Sequence, residues 1–260
     1  MKNIKHLSLA ILAAISLGAT AADLKVGSMG GQEADLVHTA AKVAKEKFGL
    51  DVEVVEFDDY VMPNVALAEG EIDANAFQHK PYLNAMVKDR GFKIVPVANT
   101  FIYPIGAYSE KIKDISELKD GAKIAFPNDP SNGARSLILM HNQGLIKLKD
   151  PSNLEASKLD VIENPRKFDL IDANAESLPR VLPDVDLAFI NSNYAVNADL
   201  LPKRDALLVE PEDSPYMNVI AVREGDEKNE NIQKFIQAYQ TDEVAASAEK
   251  VFKGAAVKGW

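Results

Sequence analysis

The chain has 260 residues, a formal net charge of −10 and no cysteine. The excess of acidic residues argues against a nucleic-acid partner. The lack of cysteine excludes a cysteine nucleophile, a thiolate metal site and lipid attachment through an N-terminal cysteine. A chain of this length can form one large domain or two modest ones, and either can bury a core.

The first 21 residues have the pattern of a secretory signal peptide. Lys2 and Lys5 precede an apolar run over residues 7–17, and small residues follow at 19–21. The run is about half as long as the roughly 20 apolar residues that a membrane-spanning helix needs. We therefore expect cleavage between Ala21 and Ala22 and export of the mature chain. The loss of the two lysines would move the net charge from −10 to −12.

The next hundred residues alternate short β-branched runs with amphipathic helical patterns. In chain order the pattern predicts a strand at 24–29, a helix at 33–48 closed by Gly49, a strand at 51–57, and a helix from about 60 to 68 that ends at Gly70. Strand, helix and strand joined by short turns are typical of βαβ units in a largely parallel sheet.

The same alternation begins again in the middle of the chain. It predicts a strand at 122–126, a helix at 132–143 stopped by Gly144, and strands near 159–162, 168–172, 185–190 and 206–209. These elements indicate a second α/β unit.

Two extended, proline-containing passages, 98–108 and 209–222, can connect the two units. If both cross, the second lobe (104–215) is an insertion in the first (22–103 plus 216–260), and residues 219–260 return to the first lobe as helices. We therefore predict an α/β protein of two lobes, with a ligand cleft between them and two crossover segments that act as a hinge.

Residues 73–83 place two aromatic side chains, a histidine, two amides and a proline in one strand-to-helix turn. Ligands of open α/β sheets lie outside the carboxyl ends of the strands, and aromatic walls with a few polar groups are typical of small-molecule pockets. Phe77, His79 and Tyr82 are therefore candidate pocket residues, and Tyr60 follows the preceding strand as a further wall. The structural alternative is that they only pack at a strand end.

Three polar residues of the second half are further candidates. Arg135 is predicted in the first turn of a helix, where its charge opposes the helix dipole, so a bound carboxylate or a salt bridge to Asp129 would compensate it. Asn191 follows a predicted strand, where asparagine is common in turns. Asn218 lies in a predicted crossover, where a buried amide needs partners for both ends. A ligand with ammonium and carboxylate groups could supply them.

Evidence for an enzyme is weaker. The sequence contains no H-E-x-x-H, G-x-S-x-G, G-x-G-x-x-G or P-loop motif. A secreted hydrolase with scattered catalytic residues stays open as an alternative but has no positive support. A surface adhesin is the third class, and the aromatic and amide-rich turn argues against it as the primary role.

Several phrases resemble the methionine-binding lipoprotein family of bacterial ABC importers. They are LDVEVVEFDDY (50–60), IDANAFQHKPYL (72–83), NTFIYP (99–104), PNDPSN (127–132), SPYMN (214–218) and the final FKG (252–254) and KGW (258–260). The similarity extends over nearly all of the expected mature chain. One departure is that the usual lipobox cysteine is absent, so we expect a freely diffusing form.

The resemblance implies a type II-like, two-lobed periplasmic substrate-binding protein that closes on methionine and delivers it to a membrane permease driven by an ATPase. By position, Tyr60, Phe77, His79 and Tyr82 would surround the thioether, Arg135 would hold the carboxylate, and Asn191 and Asn218 would bind the amino and carboxylate groups. D-methionine or a methionine-containing dipeptide remains an alternative ligand. We expect a monomer with no cofactor, metal or catalytic residue.

Overall fold

The structure, a computed structural model, describes residues 22–260, and the predicted signal peptide lies outside them. In chain order the strands are β1 (Leu24–Met29), β2 (Val52–Phe57), β3 (Ala74–His79), β4 (Ile94–Asn99), β5 (Phe101–Ile102), β6 (Gly106–Tyr108), β7 (Lys123–Pro127), β8 (Lys147–Leu148), β9 (Val161–Glu163), β10 (Asp169–Ala173), β11 (Leu187–Ile190), β12 (Leu208–Val209), β13 (Asn218–Arg223) and β14 (Val257–Lys258). The α-helices are α1 (Gln32–Phe48), α2 (Met62–Glu69), α3 (Lys80–Arg90), α4 (Pro130–Asn142), α5 (Leu178–Val181), α6 (Ser192–Asn197), α7 (Pro202–Asp205), α8 (Glu230–Tyr239) and α9 (Asp242–Val251). Within residues 22–260, no helix has the length and hydropathy that crossing a bilayer requires.

The first sheet has the strand order β2-β1-β3-β13-β4. Strand β1 is parallel to β2 and β3, whereas β13 runs antiparallel to both of its neighbours. Helices α1, α8 and α9 share a buried apolar cluster on one face, and α2 and α3 contribute to a cluster on the other. Because both faces of the sheet are covered, every residue of β3 is buried, including the polar Asn75, Gln78 and His79.

The buried face of helix α1 follows the apolar pattern of its sequence. Its apolar residues recur at helical spacing, and Leu36, Val37, Ala40 and Ala44 are all buried against the sheet. The helix ends at Gly49, whose φ of 69° is the left-handed conformation that glycine adopts most easily.

The second sheet has the order β10-β7-β11-β6-β12. Strand β7 is parallel to β10 and β11, and β6 is antiparallel to β11 and β12. Helix α4 packs on this sheet through Leu137 and Met140, which share a cluster with Ile124 and Phe189. Each sheet and its helices form one lobe, and the chain passes between the lobes twice, after β4 and after β12. Boundaries at 103/104 and 215/216 stay a prediction.

Two predicted elements differ in the structure. Residues 219–260 do not return to the first lobe as helices alone, because β13 first inserts between β3 and β4. The strand predicted at 159–162 is in part a 3₁₀ turn (Lys158–Asp160), and β9 pairs only with β8. Leu159 is 94% exposed, so this apolar side chain does not belong to a buried core.

The carboxyl ends of both parallel strand sets meet at the cleft. A buried cluster spans the two lobes there, with Phe77 and Tyr82 from the first lobe and Leu178 and Ile190 from the second. The turns after β1, β2 and β3 therefore face those after β7 and β11, as the strand-end rule predicts.

Candidate ligand-binding site

A cavity of about 350 Å³ lies between the lobes. All seven residues selected from the sequence line it, namely Tyr60, Phe77, His79, Tyr82, Arg135, Asn191 and Asn218. Six further residues line the cavity although no sequence pattern singled them out, namely Glu33, Gln78, Tyr103, Asn132, Ser192 and Asn193. The structure brings the seven side chains together, and their contact with a ligand stays a prediction.

One end of the cavity is an aromatic wall. The ring centroids of Tyr60, Phe77 and Tyr82 lie 5.9 to 6.2 Å from one another. The Tyr82 hydroxyl donates to the Tyr60 carbonyl at 3.0 Å, and the Tyr60 hydroxyl donates to Asn193 Oδ1 at 2.6 Å. Because the hydroxyls are engaged with protein, the ring faces are what this end offers to an apolar side chain.

His79 is held as a neutral ring. It is the N-cap of α3, and its Nδ1 accepts from the Tyr82 backbone N–H at 3.1 Å. Nδ1 must therefore be unprotonated, so Nε2 carries the hydrogen and donates to Asn132 Oδ1 at 3.0 Å. Burial, and secondly the positive charge of Arg135, lower the pKa of His79 to about 3. Both nitrogens are thus occupied, and the ring is uncharged.

Arg135 lies at the polar end and is paired inside the protein. Its Nε donates to Glu210 Oε1 at 2.8 Å, and its Nη2 contacts Glu210 Oε2 and donates to the Tyr103 carbonyl at 2.8 Å. Its guanidinium carbon lies 4.5 Å from the centroid of the Tyr216 ring. Of the three guanidinium nitrogens of Arg135, Nη1 alone has no hydrogen-bond partner among residues 22–260.

The alternative salt bridge from Arg135 to Asp129 was wrong. Helix α4 begins at Pro130, two residues before the predicted start, which places Arg135 in the second turn. Asp129 is instead the N-cap of α4 and accepts from the Asn132 backbone N–H at 2.9 Å. The compensating anion comes from Glu210, which directly follows β12 in the second crossover.

The Asp129 carboxylate also fixes the orientation of two side-chain amides. Both of its oxygens accept from Asn132 Nδ2, at 3.1 and 3.0 Å, so Asn132 must turn Oδ1 the other way. That oxygen accepts from His79 and, at 2.9 Å, from Asn191 Nδ2. Asn191 Oδ1 is consequently directed elsewhere, and it is buried with no hydrogen-bond partner among residues 22–260.

Two further amides complete the polar end. Asn218 Nδ2 donates to the Phe77 carbonyl at 3.1 Å, so its oxygen is the atom left to accept a bond. Asn193 has the opposite arrangement, because its oxygen accepts from Tyr60 while its Nδ2 is buried with no partner among the described residues. The polar end thus presents amide acceptors and an amide donor beside a guanidinium N–H.

Glu33 was missed by the sequence analysis. It lies in the first turn of α1, is 5% exposed and lines the cavity. Desolvation raises the pKa of its carboxyl group well above the ordinary value. An acidic residue in the first turn of a helix is common, so no local signal distinguished Glu33 from its neighbours. Only its burial in the lining of the cavity distinguishes it.

The site can accommodate an amino acid with an apolar tail. Aromatic rings line one end, and groups complementary to both an ammonium and a carboxylate line the other. No group of three or more histidine, aspartate or glutamate side chains within residues 22–260 is arranged to hold a metal ion.

Comparison with known proteins agrees with this geometry. A family model described as NlpA lipoprotein matches residues 24–260. The D-methionine-binding lipoprotein MetQ of Escherichia coli (strain K12) is 54% identical over 239 residues, which cover 91% of this chain and 88% of that protein.

Two solved structures share the fold. A nutrient binding protein from Burkholderia cenocepacia bound to methionine is 49% identical with a TM-score of 0.89, covering 91% of this chain and 100% of that one. An ABC transporter periplasmic substrate-binding protein from Coxiella burnetii is 46% identical with a TM-score of 0.88, again over 91% and 100%. The predicted two-lobed α/β fold is therefore confirmed. The resemblance found in the sequence is confirmed as well, and the chain belongs to the NlpA lipoprotein family.

Proposed function

We propose that this protein is the substrate-binding component of an ABC importer, which captures methionine in the periplasm and delivers it to a membrane permease and its ATPase. The observation that carries the proposal is one cavity lined by aromatic rings, by side-chain amides and by two groups of opposite charge, Arg135 and Glu33. Relatives of high identity that are named for methionine binding, or were solved bound to methionine, support the choice of ligand.

In this proposal the aromatic end surrounds the thioether. The rings of Tyr60, Phe77 and Tyr82, with the neutral ring of His79, offer sulfur-aromatic contacts of roughly 0.3 to 1.5 kcal/mol each. A neutral His79 suits an uncharged tail, whereas an imidazolium would add an uncompensated charge to the pocket.

The polar end binds the amino acid head group. Arg135 directs Nη1 to the carboxylate, and Glu210 holds the guanidinium in place by pairing with Nε and Nη2. The oxygens of Asn191 and Asn218 accept from the ammonium group, because one N–H of each amide donates to a protein oxygen and turns the amide oxygen away from that partner.

Two related ligands stay alternatives. A methionine-containing dipeptide carries the same thioether and a free amino and carboxylate terminus. D-methionine stays an alternative ligand, since both enantiomers carry the same groups.

A secreted hydrolase is the alternative from another class. Such an enzyme needs a nucleophile within reach of a base. The Ser192 hydroxyl donates to the Pro104 carbonyl, and both nitrogens of His79 are engaged with Tyr82 and Asn132. The lining residues thus offer no such pair, which supports a binding protein without catalytic residues.

We further propose a monomer that diffuses freely in the periplasm. Relatives are named lipoproteins, whereas the 260 residues here contain no cysteine to carry a lipid. Radiolabelled palmitate in the mature protein would contradict a free form, and a dimer in light scattering would contradict a monomer.

The test of the function is titration calorimetry with L-methionine, D-methionine and a methionine-containing dipeptide. We expect one methionine bound per chain. Arg135→Lys should weaken binding at least about tenfold, because lysine keeps a positive charge beside Glu210 but has no second nitrogen to donate to the ligand carboxylate. Arg180→Lys, at an exposed position of the second lobe, is the matched control. A wild-type protein that binds no methionine would contradict the proposal.

A further inference from the structure

The Glu33 carboxylate is buried without a partner. It makes no hydrogen bond and no salt bridge with any of residues 22–260, and its Oε2 is fully enclosed. An unpaired buried carboxylate is costly, and proteins normally pair such a group with a cation or hydrogen-bond donors. The raised pKa of Glu33 has the same cause, since burial penalises its charged form. A positively charged partner would remove this penalty.

Two groups of opposite charge, Glu33 and Arg135, line the cavity together with Tyr60. Burial raises the pKa of the Tyr60 hydroxyl most, the negative charge of Glu33 raises it further, and the positive charge of Arg135 lowers it. Arg135 is already paired with Glu210, so it is not the partner of Glu33. Glu33 is therefore the uncompensated charge in the lining of the cavity.

The neighbouring amides favour the same kind of ligand group. Asn191 and Asn218 each donate from Nδ2 to a protein oxygen, which leaves each amide oxygen as an acceptor for a ligand. Together with Glu33 they are three acceptors, and a primary ammonium group has three N–H donors. A ligand hydroxyl or amide would not satisfy three acceptors at once.

We infer that the Glu33 carboxylate is the counter-ion of the ligand's ammonium group and restricts the site to ligands with a free primary amine. This inference rests on the proposed function and deepens it. Arg135 and Glu33 then recognise the two ends of the zwitterion, so a ligand that lacks either charge leaves one buried group unpaired.

The test compares methionine with 4-(methylthio)butanoate, which has the same tail and carboxylate but no amino group. Both are titrated into the wild-type protein, Glu33→Gln and Asp35→Asn. Asp35 is an exposed acid of the same helical turn, so its variant makes the same charge change outside the cavity.

We expect Glu33→Gln to bind methionine at least about tenfold more weakly, as for loss of a charge-assisted hydrogen bond. Binding of the analogue should be unchanged or tighter in this variant, and Asp35→Asn should match the wild type. Equal binding of methionine by wild type and Glu33→Gln would overturn the inference. Equal weakening of both ligands would overturn it too, since that indicates a structural role.

Thermal unfolding of the ligand-free variants shows whether they fold, and Glu33→Leu provides a second uncharged variant for the same titrations. A thermal-shift survey of the common amino acids separates this inference from the proposed function. If the wild type binds another amino acid and Glu33→Gln loses it, the proposed ligand is wrong and the role of Glu33 stands. If the wild type binds no amino acid, both are overturned.

Discussion

At the scale of single residues, His79 combines a structural role with a place in the cavity wall. Its Nδ1 caps α3 and its Nε2 orients Asn132, and both contacts require the neutral ring. The sequence motif indicated an unusual histidine, but the direction of its proton follows only from the backbone N–H that Nδ1 accepts. A role in catalysis or metal binding is therefore not needed to explain its burial.

We predict that His79 makes the stability of the protein depend on pH. Its pKa is about 3 in the fold and 6.5 in the unfolded chain, so the unfolded state binds the proton first as the pH falls. The stability contributed by the neutral ring is complete above pH 6.5 and is lost as the pH decreases towards 3. Between pH 7.5 and 4.5 the loss is about 2 to 3 kcal/mol.

Urea unfolding at several pH values measures this effect. His79→Asn keeps a side-chain acceptor at the N-cap but cannot titrate, so its stability should fall less between pH 7.5 and 4.5 than that of the wild type. His38→Asn, which removes a half-exposed histidine of α1, shows how much of any change comes from replacing a histidine as such. Parallel slopes for wild type and His79→Asn would contradict the prediction.

At the scale of elements, a buried amide network fixes α2 on β3. Asn64 and Gln78 exchange two side-chain hydrogen bonds of 2.8 and 2.7 Å, and Asn75 donates to Asn64 at 2.9 Å. Each of these side chains is at most 2% exposed. Gln78 precedes His79 in β3 and also lines the cavity, so the network holds β3 at the point where the strand reaches the cavity.

We predict that Asn64→Ala destabilises the protein by about 3 kcal/mol, because it leaves the amides of Asn75 and Gln78 partly unpaired in the core. Asn84→Ala, at an exposed position of α3, should change the free energy of unfolding by less than about 0.5 kcal/mol. Chemical denaturation of the two variants gives both values. Similar stabilities would mean that the network contributes nothing measurable.

Elements with local signals could be predicted from the sequence, and those defined by distant pairing could not. The glycine-terminated helices α1 and α2 and the strands β1 and β2 were predicted within two residues. The sequence predicts a crossover at 209–222 and not a strand of the first sheet. The pairing of β13 with β3 could not be predicted, because paired residues such as Asn218 and His79 lie about 140 positions apart in the chain. The site shows the same division. The aromatic cluster comes from one stretch of the chain, whereas Glu33 and Asn193 line the cavity only because the two lobes come together.

At the scale of the whole molecule, the lobes contact each other directly beside the cavity. The Tyr194 hydroxyl of the second lobe donates to the Asp58 carbonyl of the first at 3.0 Å, and Asn197 Nδ2 donates to the Gly30 carbonyl at 3.3 Å. Neither Tyr194 nor Asn197 lines the cavity. These contacts stabilise the closed arrangement without touching the ligand, so they should act on the hinge equilibrium alone.

We predict that Tyr194→Phe releases methionine faster. The ring of Tyr194, 5.0 Å from that of Tyr60, is kept, and only the hydrogen bond between the lobes is lost. A bond of about 0.5 to 1.5 kcal/mol that forms on closure should raise the dissociation rate roughly 2- to 10-fold. The association rate should change little, because the ligand is expected to enter while the cleft is open.

Stopped-flow measurements of methionine dissociation and association test this prediction. Tyr108→Phe is the matched control, since the Tyr108 hydroxyl is buried in the second lobe with no hydrogen-bond partner among residues 22–260, and its removal should leave both rates unchanged. If Tyr194→Phe slowed association while dissociation stayed at the wild-type rate, the contact would act on the open protein. Faster dissociation in Tyr194→Phe, with Tyr108→Phe at the wild-type rate, would instead mean that hydrogen bonds between the two lobes slow the release of the ligand.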